Sequence, residues 1–198
     1  MKLFYPIVVF SLSGLLFTSC SGEEKDTNAL EVIYEDEQDE LDEFEAFGLK
    51  AYGINAMIYL PDETADIGAA AEPKVEHEPD GFKWDLRVGQ NFHMRIDDWG
   101  DEEMVSFHKE ELEDFSSMYK IEFLEESENF LYYKKTLKVD GSKDAGKNVG
   151  VEHVSYHCFG QHKIGGINYV FRTNDSGHPK PITEYMAKSI KSVKEIVD

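Results

Sequence analysis

Phe82-Lys83-Trp84-Asp85-Leu86-Arg87-Val88-Gly89-Gln90-Asn91-Phe92-His93-Met94-Arg95-Ile96 is the stretch that decides the fold. Phe82, Trp84 and Leu86 alternate with polar residues, and Phe92, Met94 and Ile96 repeat the pattern after a short break. Successive side chains of a strand point to opposite faces, so a period of two marks a strand with one face buried and one in water. Val88-Gly89-Gln90-Asn91 then reads as a hairpin turn, which joins antiparallel neighbours.

Working outward, residues 52–60 read as a strand ended by Pro61-Asp62, since proline cannot continue a central ladder. Residues 61–81, with Pro61, Pro73, Pro79 and Ala69-Ala70-Ala71, read as a long loop. On the other side, Asp101 is placed to cap a helix over about 102–118, with Val105, Leu112, Phe115 and Met118 on its buried face. Two strands follow at 120–125 and 130–137, joined by a turn at Ser127-Glu128-Asn129. A Lys/Asp/Gly loop spans 138–148, and 149–159 and 167–173 form another hairpin. The chain closes on a helix in which Pro181 suits the first turn and Ile182, Met186, Ile190, Val193 and Val197 form a stripe. Hairpin-joined strands with interspersed helices define an α+β fold: a twisted antiparallel sheet with helices packed on it, including a C-terminal amphipathic helix. The single domain is expected over 47–198.

The N-terminus has a different character. Lys2 precedes an apolar run over 3–17, broken only by Pro6 and small or hydroxylated residues, which ends Leu16-Phe17-Thr18-Ser19-Cys20. At about 1.5 Å per residue this run falls short of a ~30 Å bilayer core and suits a signal peptide. It resembles the leader of bacterial lipoproteins cut by signal peptidase II, with Phe17 where that motif usually has Leu. The resemblance implies removal of 1–19 and a lipidated N-terminus at Cys20. Ser21-Gly22-Glu23-Glu24-Lys25-Asp26 then resembles the export signal of surface-exposed lipoproteins of the Bacteroidota. That implies anchoring in the cell outer membrane, facing outward rather than into the periplasm. Residues 20–46 form an acidic tether, within which Leu30, Ile33, Tyr34, Leu41 and Phe44 are spaced for a helix with one apolar edge.

Charge narrows the partners. Forty acids against twenty Lys and Arg give a net charge of −20. Loss of the leader removes only the cation Lys2. Such a surface repels phosphates and anionic headgroups, so nucleic acid is excluded as a partner and the membrane link is the lipid on Cys20. Apolar residues at 41% and aromatics at 13% suffice for a packed core. With Cys20 committed to lipid, Cys158 has no disulfide partner and reads as a small buried hydrophobe.

The histidines are the cluster that could carry chemistry. His153, His157 and His162 lie beside Cys158, with His178 in a nearby loop. On a strand His153 and His157 share a face but stand about 13 Å apart, too far to grip one ion. His157 and His162 remain the candidate binding residues, on the expectation that they approach across Gly160-Gln161. Cys158 with His162 has the residue types of a thiol hydrolase. Asp97, Asp98, Asp101, Glu102 and Glu103 around Trp99-Gly100 make an oxygen-rich turn, but an acid-rich helix N-terminus explains them without calcium. Gly-x-Ser-x-Gly and His-Glu-x-x-His motifs are missing, as is a phosphate-binding glycine loop, and Pro79 follows His77-Glu78. No catalytic residue, metal or cofactor is assigned.

The paired strands, the hairpin through Tyr169-Val170-Phe171-Arg172 and the closing helix with Ser189-Ile190-Lys191-Ser192-Val193 resemble the Mog1/PsbP-like fold over the C-terminal half. That resemblance implies an adaptor or assembly role without catalytic machinery, and no site motif carries over. The expected function is therefore a lipid-anchored cell-envelope binding or adaptor protein, with an envelope protein as partner. Trp99, Tyr132 and Tyr133 are aromatics suited to anchoring an interface if exposed. The alternative is a metal-dependent or thiol hydrolase using His153, His157 and His162.

Overall fold

The computed structural model describes residues 41–68, 72–78, 80, 82–139, 143–144 and 153–197. The expected leader, Cys20, the expected export signal and the acidic stretch up to residue 40 lie outside these residues. Among the described residues no helix is long and apolar enough to cross a membrane.

Eleven strands and two α-helices follow one another in the described residues. Strands β1 (Phe44–Gly48), β2 (Ala56–Pro61) and β11 (Lys194–Glu195) form a small antiparallel sheet in the order β1-β2-β11. The large sheet runs β3 (Lys74–Glu78), β4 (Lys83–Val88), β5 (Phe92–Asp98), β10 (Ile167–Thr173), β9 (Val154–Ile164), β7 (Phe130–Val139), β6 (Tyr119–Ser127), with β8 (Lys143–Asp144) appended to β7. Its pairings are all antiparallel. Helix α1 (Val105–Asp114) follows β5, and α2 (Lys180–Lys191) follows β10. The fold is α+β, with the C-terminal helix packed on the sheet, as the alternating hydrophobic pattern implies.

The decisive hairpin forms, with Trp84 opposite Ile96 and Leu86 opposite Met94, but Val88 pairs with Phe92 as the last residue of β4 instead of opening the turn, and Phe82 precedes β4 and is exposed. Trp84, Leu86, Met94 and Ile96 point into a core shared with Ile58 and Leu60 of β2 and with Ile182, Met186 and Ile190 of α2. The intervening Asp85, Arg87, His93 and Arg95 are on the opposite face. There α1 covers only the far side of the sheet, burying Val105 and Leu112 against Leu131, Phe159 and Val170.

Gly160 sets the spacing of α2 from the sheet. A Cβ there would collide with Ile190 Cγ2 and stand 3.1 Å from the Phe130 ring. Only a residue without a side chain lets helix and strand approach this closely.

Several local expectations shift. Residues 61–81 contain β3, a charged strand at the sheet edge, where charged side chains discourage pairing with other chains. Asp101 does not cap α1, which starts at Val105; the free Met104 N–H donates instead to Gln161 Oε1 of β9, at 2.6 Å. The helix stops at Asp114 and tightens into a 3₁₀ turn, Phe115–Ser117. Three residues per turn rotate the stripe off the sheet, so Phe115 and Met118 face water. At the C-terminus α2 ends at Lys191, β11 turns back to pair with β2, and Val197 is exposed. The folded domain also begins before residue 47: Phe44 is buried, and the Tyr185 hydroxyl donates to Glu43.

Candidate functional site

Strand β9 carries three of the residues singled out above, and its pleat decides their fates. His157 and His162 lie on opposite faces of this one continuous strand. The bend expected at Gly160-Gln161 is absent, because both residues pair regularly with β10. The two histidines therefore form no common site.

His162 lies on the α2 side. Its ring meets Phe171 edge to face at 5.7 Å and hydrogen-bonds the backbone of Ile190. Burial holds its pKa below the ordinary value, and that backbone contact opposes the shift. Cys158 faces the same way, about 13 Å along the strand from His162, with its thiol 3.7 Å from the Thr183 carbonyl. Burial pushes that thiol up, so no nucleophile–base pair exists between them.

His157 is buried on the α1 side, stacked on Tyr133 with ring centroids 5.2 Å apart. Its Nε2 is 2.9 Å from Ser155 Oγ and its Nδ1 is 3.5 Å from Thr173 Oγ1. Thr173 in turn donates to the Cys158 carbonyl, which leaves its oxygen free to accept from Nδ1–H. The Ser155 hydroxyl then donates to Nε2. Burial, reinforced by Lys135, pushes this imidazole down to about 3. A base that weak takes no proton from serine near neutrality, so the Ser155–His157 contact is structural.

A cavity of about 310 Å³ opens between α1, the sheet and the loop after β10. Tyr133, Lys135, His157 and Arg172 come from three adjacent strands, while His108 and Leu112 come from α1. They share this face because β7, β9 and β10 are in register, Tyr133 opposite His157. His108 stacks on Phe159 at 4.2 Å, and its Nε2 is 3.0 Å from the Tyr133 hydroxyl. Glu111 lies 3.5 Å from the other ring nitrogen, which favours the proton there and makes Nε2 the acceptor of the Tyr133 O–H. Burial lowers the His108 pKa against the pull of Glu111, and burial raises the Tyr133 phenol. Both groups are neutral near pH 7.

Arg172 is held on two sides, its Nε 2.7 Å from Asp97 and its Nη1 2.8 Å from Asp175. The buried Asp97 is thus an ion-pair partner rather than a calcium ligand, and Asp98 accepts from the Gly100 N–H at 2.9 Å within its own turn. Among the described residues no group of three or more His, Cys, Asp or Glu is placed to hold a metal ion. His153 precedes β9, and His178 bridges to Tyr156 through paired backbone bonds of 3.0 Å. Of the three aromatics, Trp99 is partly exposed, whereas Tyr132 and Tyr133 are buried on opposite faces of β7.

His108, Lys135 and Arg172 were not singled out in the sequence. Lys135 and Arg172 each carry one local signal, a cation interrupting an apolar strand: Lys134-Lys135 after Phe130–Tyr133, and Arg172 after Tyr169-Val170-Phe171, whereas His108 carries none. No protein-family model matches the chain, and no curated protein sequence matches it.

Proposed function

We propose that this protein is a binding module of the cell envelope, held by lipid on Cys20 and presenting its domain to a partner protein without catalysis. The observation that carries this reading is the apolar surface left in water along α1 and β6. Phe107, Phe115, Met118 and Leu124 are each 41–51% exposed there. They lie beside β6, the terminal strand of the large sheet, whose outer side no described strand pairs. Large exposed apolar side chains gathered beside an open sheet edge are the usual mark of an interaction surface. Glu110, Glu113 and Asp114 are exposed on the same helix, so the fitting partner is an envelope protein with an apolar centre and a basic rim.

Two further points support the reading. The histidines of β9 diverge and Cys158 faces the core, so His157, His162 and Cys158 do not converge as the hydrolase alternative requires. Lipid on Cys20 would confine the domain to the membrane plane and raise its effective concentration near a membrane-bound partner.

Crosslinking in intact cells, followed by capture of the lipidated protein and mass spectrometry, tests this. The same envelope protein should be recovered reproducibly with the wild type and lost with Phe107→Glu plus Met118→Glu. Equal recovery with that variant, or recovery of no envelope protein, refutes the surface. Membrane retention of Cys20→Ala at wild-type level refutes the anchor.

A further inference from the structure

We infer that the cavity between α1 and the β7–β9–β10 face is a binding site for a small organic monoanion, a carboxylate carried on an apolar or aromatic body. This inference does not depend on the partner surface: Phe115 borders both, but the ligand would sit beneath α1, where Lys135 lies.

Lys135 is the first reason. Its ammonium is half-buried in the cavity wall, 4.6 Å above the Tyr119 ring. Among the described residues no ion pair is formed with it, and the carboxylate that acts on it, Asp175, is already bound to Arg172 at 2.8 Å. Withdrawing a cation from water without a direct ion pair is unfavourable, and here burial holds the amine below its ordinary pKa, only partly opposed by Asp175. A ligand carboxylate reaching Lys135 Nζ would remove that penalty.

The rest of the lining defines the ligand's size and charge. Arg172 is already neutralised by Asp97 and Asp175, so the interior has one cation to offer, which suits one negative charge. The acids of the lining sit at the mouth: the Glu111 and Asp175 side chains are 50% and 84% exposed. Their rim position leaves the Lys135 field dominant inside and repels a dianion on approach. Leu112, Phe115, Phe159 and Tyr133 supply apolar and aromatic surface for the body of the ligand. The volume of about 310 Å³ lies at the lower end of the range for small-molecule sites.

Titration calorimetry on the lipidated full chain in detergent, with benzoate, benzamide and inorganic phosphate as probes, tests the site. Benzoate should bind at one site per chain. Benzamide, the neutral isostere, should bind at least ten-fold more weakly, and phosphate should give no specific heat. Lys135→Met should weaken benzoate at least ten-fold while leaving the melting temperature equal or higher, because it removes a half-buried cation that forms no ion pair. Lys135→Arg should retain most of the binding. No benzoate binding, equal binding of benzamide, tighter binding of phosphate, or full binding by Lys135→Met would each overturn the inference. NMR of the wild type tests it without any variant: benzoate should shift the ring signals of His108 and Tyr133, and unmoved signals at saturating benzoate would refute it.

Discussion

Gly177 lies flat against the ring of His157: a Cβ built on Gly177 would stand 2.6 Å from both Cε1 and Nε2 of the imidazole. The backbone there has φ of +69°, in the left-handed region that glycine adopts readily. Arg172 holds the same loop through Asp175, and His178 pins it to Tyr156, so the loop closes one end of the cavity as a fixed wall. Gly177→Ala should destabilise the fold by about 1–3 kcal/mol through combined backbone strain and collision. Urea denaturation measures the loss. If the collision contributes, His157→Ala combined with Gly177→Ala should lose less than the sum of the two single changes.

Gly160 predicts a second non-additive pair, on the other face of the sheet. Gly160→Ala pushes against Ile190 Cγ2 and should cost about 1–3 kcal/mol. Ile190→Ala removes that carbon and leaves a cavity, costing about 2–5 kcal/mol alone. In the double variant the new methyl occupies part of that space, so the total should fall clearly below the sum. An additive result would mean that α2 and β9 do not meet as described.

Stability should fall as the solution becomes acidic. The unfolded chain protonates His157 near its ordinary value of 6.5, whereas the folded chain resists until about pH 3. Between those values the unfolded state binds the extra proton, so the stabilisation is complete above about 6.5 and declines as pH drops towards 3. His108, His162 and His178 are lowered too and act in the same direction. Each such histidine adds up to about 1.4 kcal/mol per pH unit within its own window. Denaturation of the wild type and of His157→Gln between pH 7 and pH 4 should show a shallower slope in the variant. Identical slopes would remove His157 from the account.

Asp97 and Arg172 form the most buried ion pair described, with the Asp97 side chain 6% exposed. Asp97→Asn leaves the guanidinium half-compensated by Asp175 and should cost about 3–5 kcal/mol. Arg172→Met added to Asp97→Asn should recover part of that loss, because no unpaired charge then remains beside the cavity. Thermal denaturation of the two variants distinguishes a loss caused by an uncompensated charge from one caused by packing.

How much of this was legible beforehand depends on the range of the information. The alternation from Trp84 to Ile96 identified both strands of the hairpin and the side of each that faces the core, because strand periodicity is a property of neighbouring residues; it failed at its ends, where Phe82 precedes β4 and is exposed and Val88 is a buried strand residue rather than part of the turn. The Ile182, Met186 and Ile190 stripe revealed α2 for the same reason. The pattern failed where local and distant demands differ. Phe115 and Met118 kept helical spacing while the backbone changed pitch, and β3 looked like a loop because its pairing energy comes from β4 rather than from its own charged side chains.

The site was less legible. A strand displays every second residue, so β9 carries His157 and His162 on opposite faces, and continuing it through Gly160-Gln161 separated them. The cavity draws Tyr133, His157 and Arg172 from three strands and His108 from a helix distant in sequence, and only strand register and the placement of α1 bring them together. The sequence alone therefore determined the α+β class, the acidic charge and the main elements, since periodicity and composition are local or additive. Tertiary structure decided which face each histidine occupies, that Asp97 pairs with Arg172, and that Lys135 lies beneath α1 with no ion pair among the described residues, because burial and electrostatic partnership depend on distances that no spacing along the chain encodes.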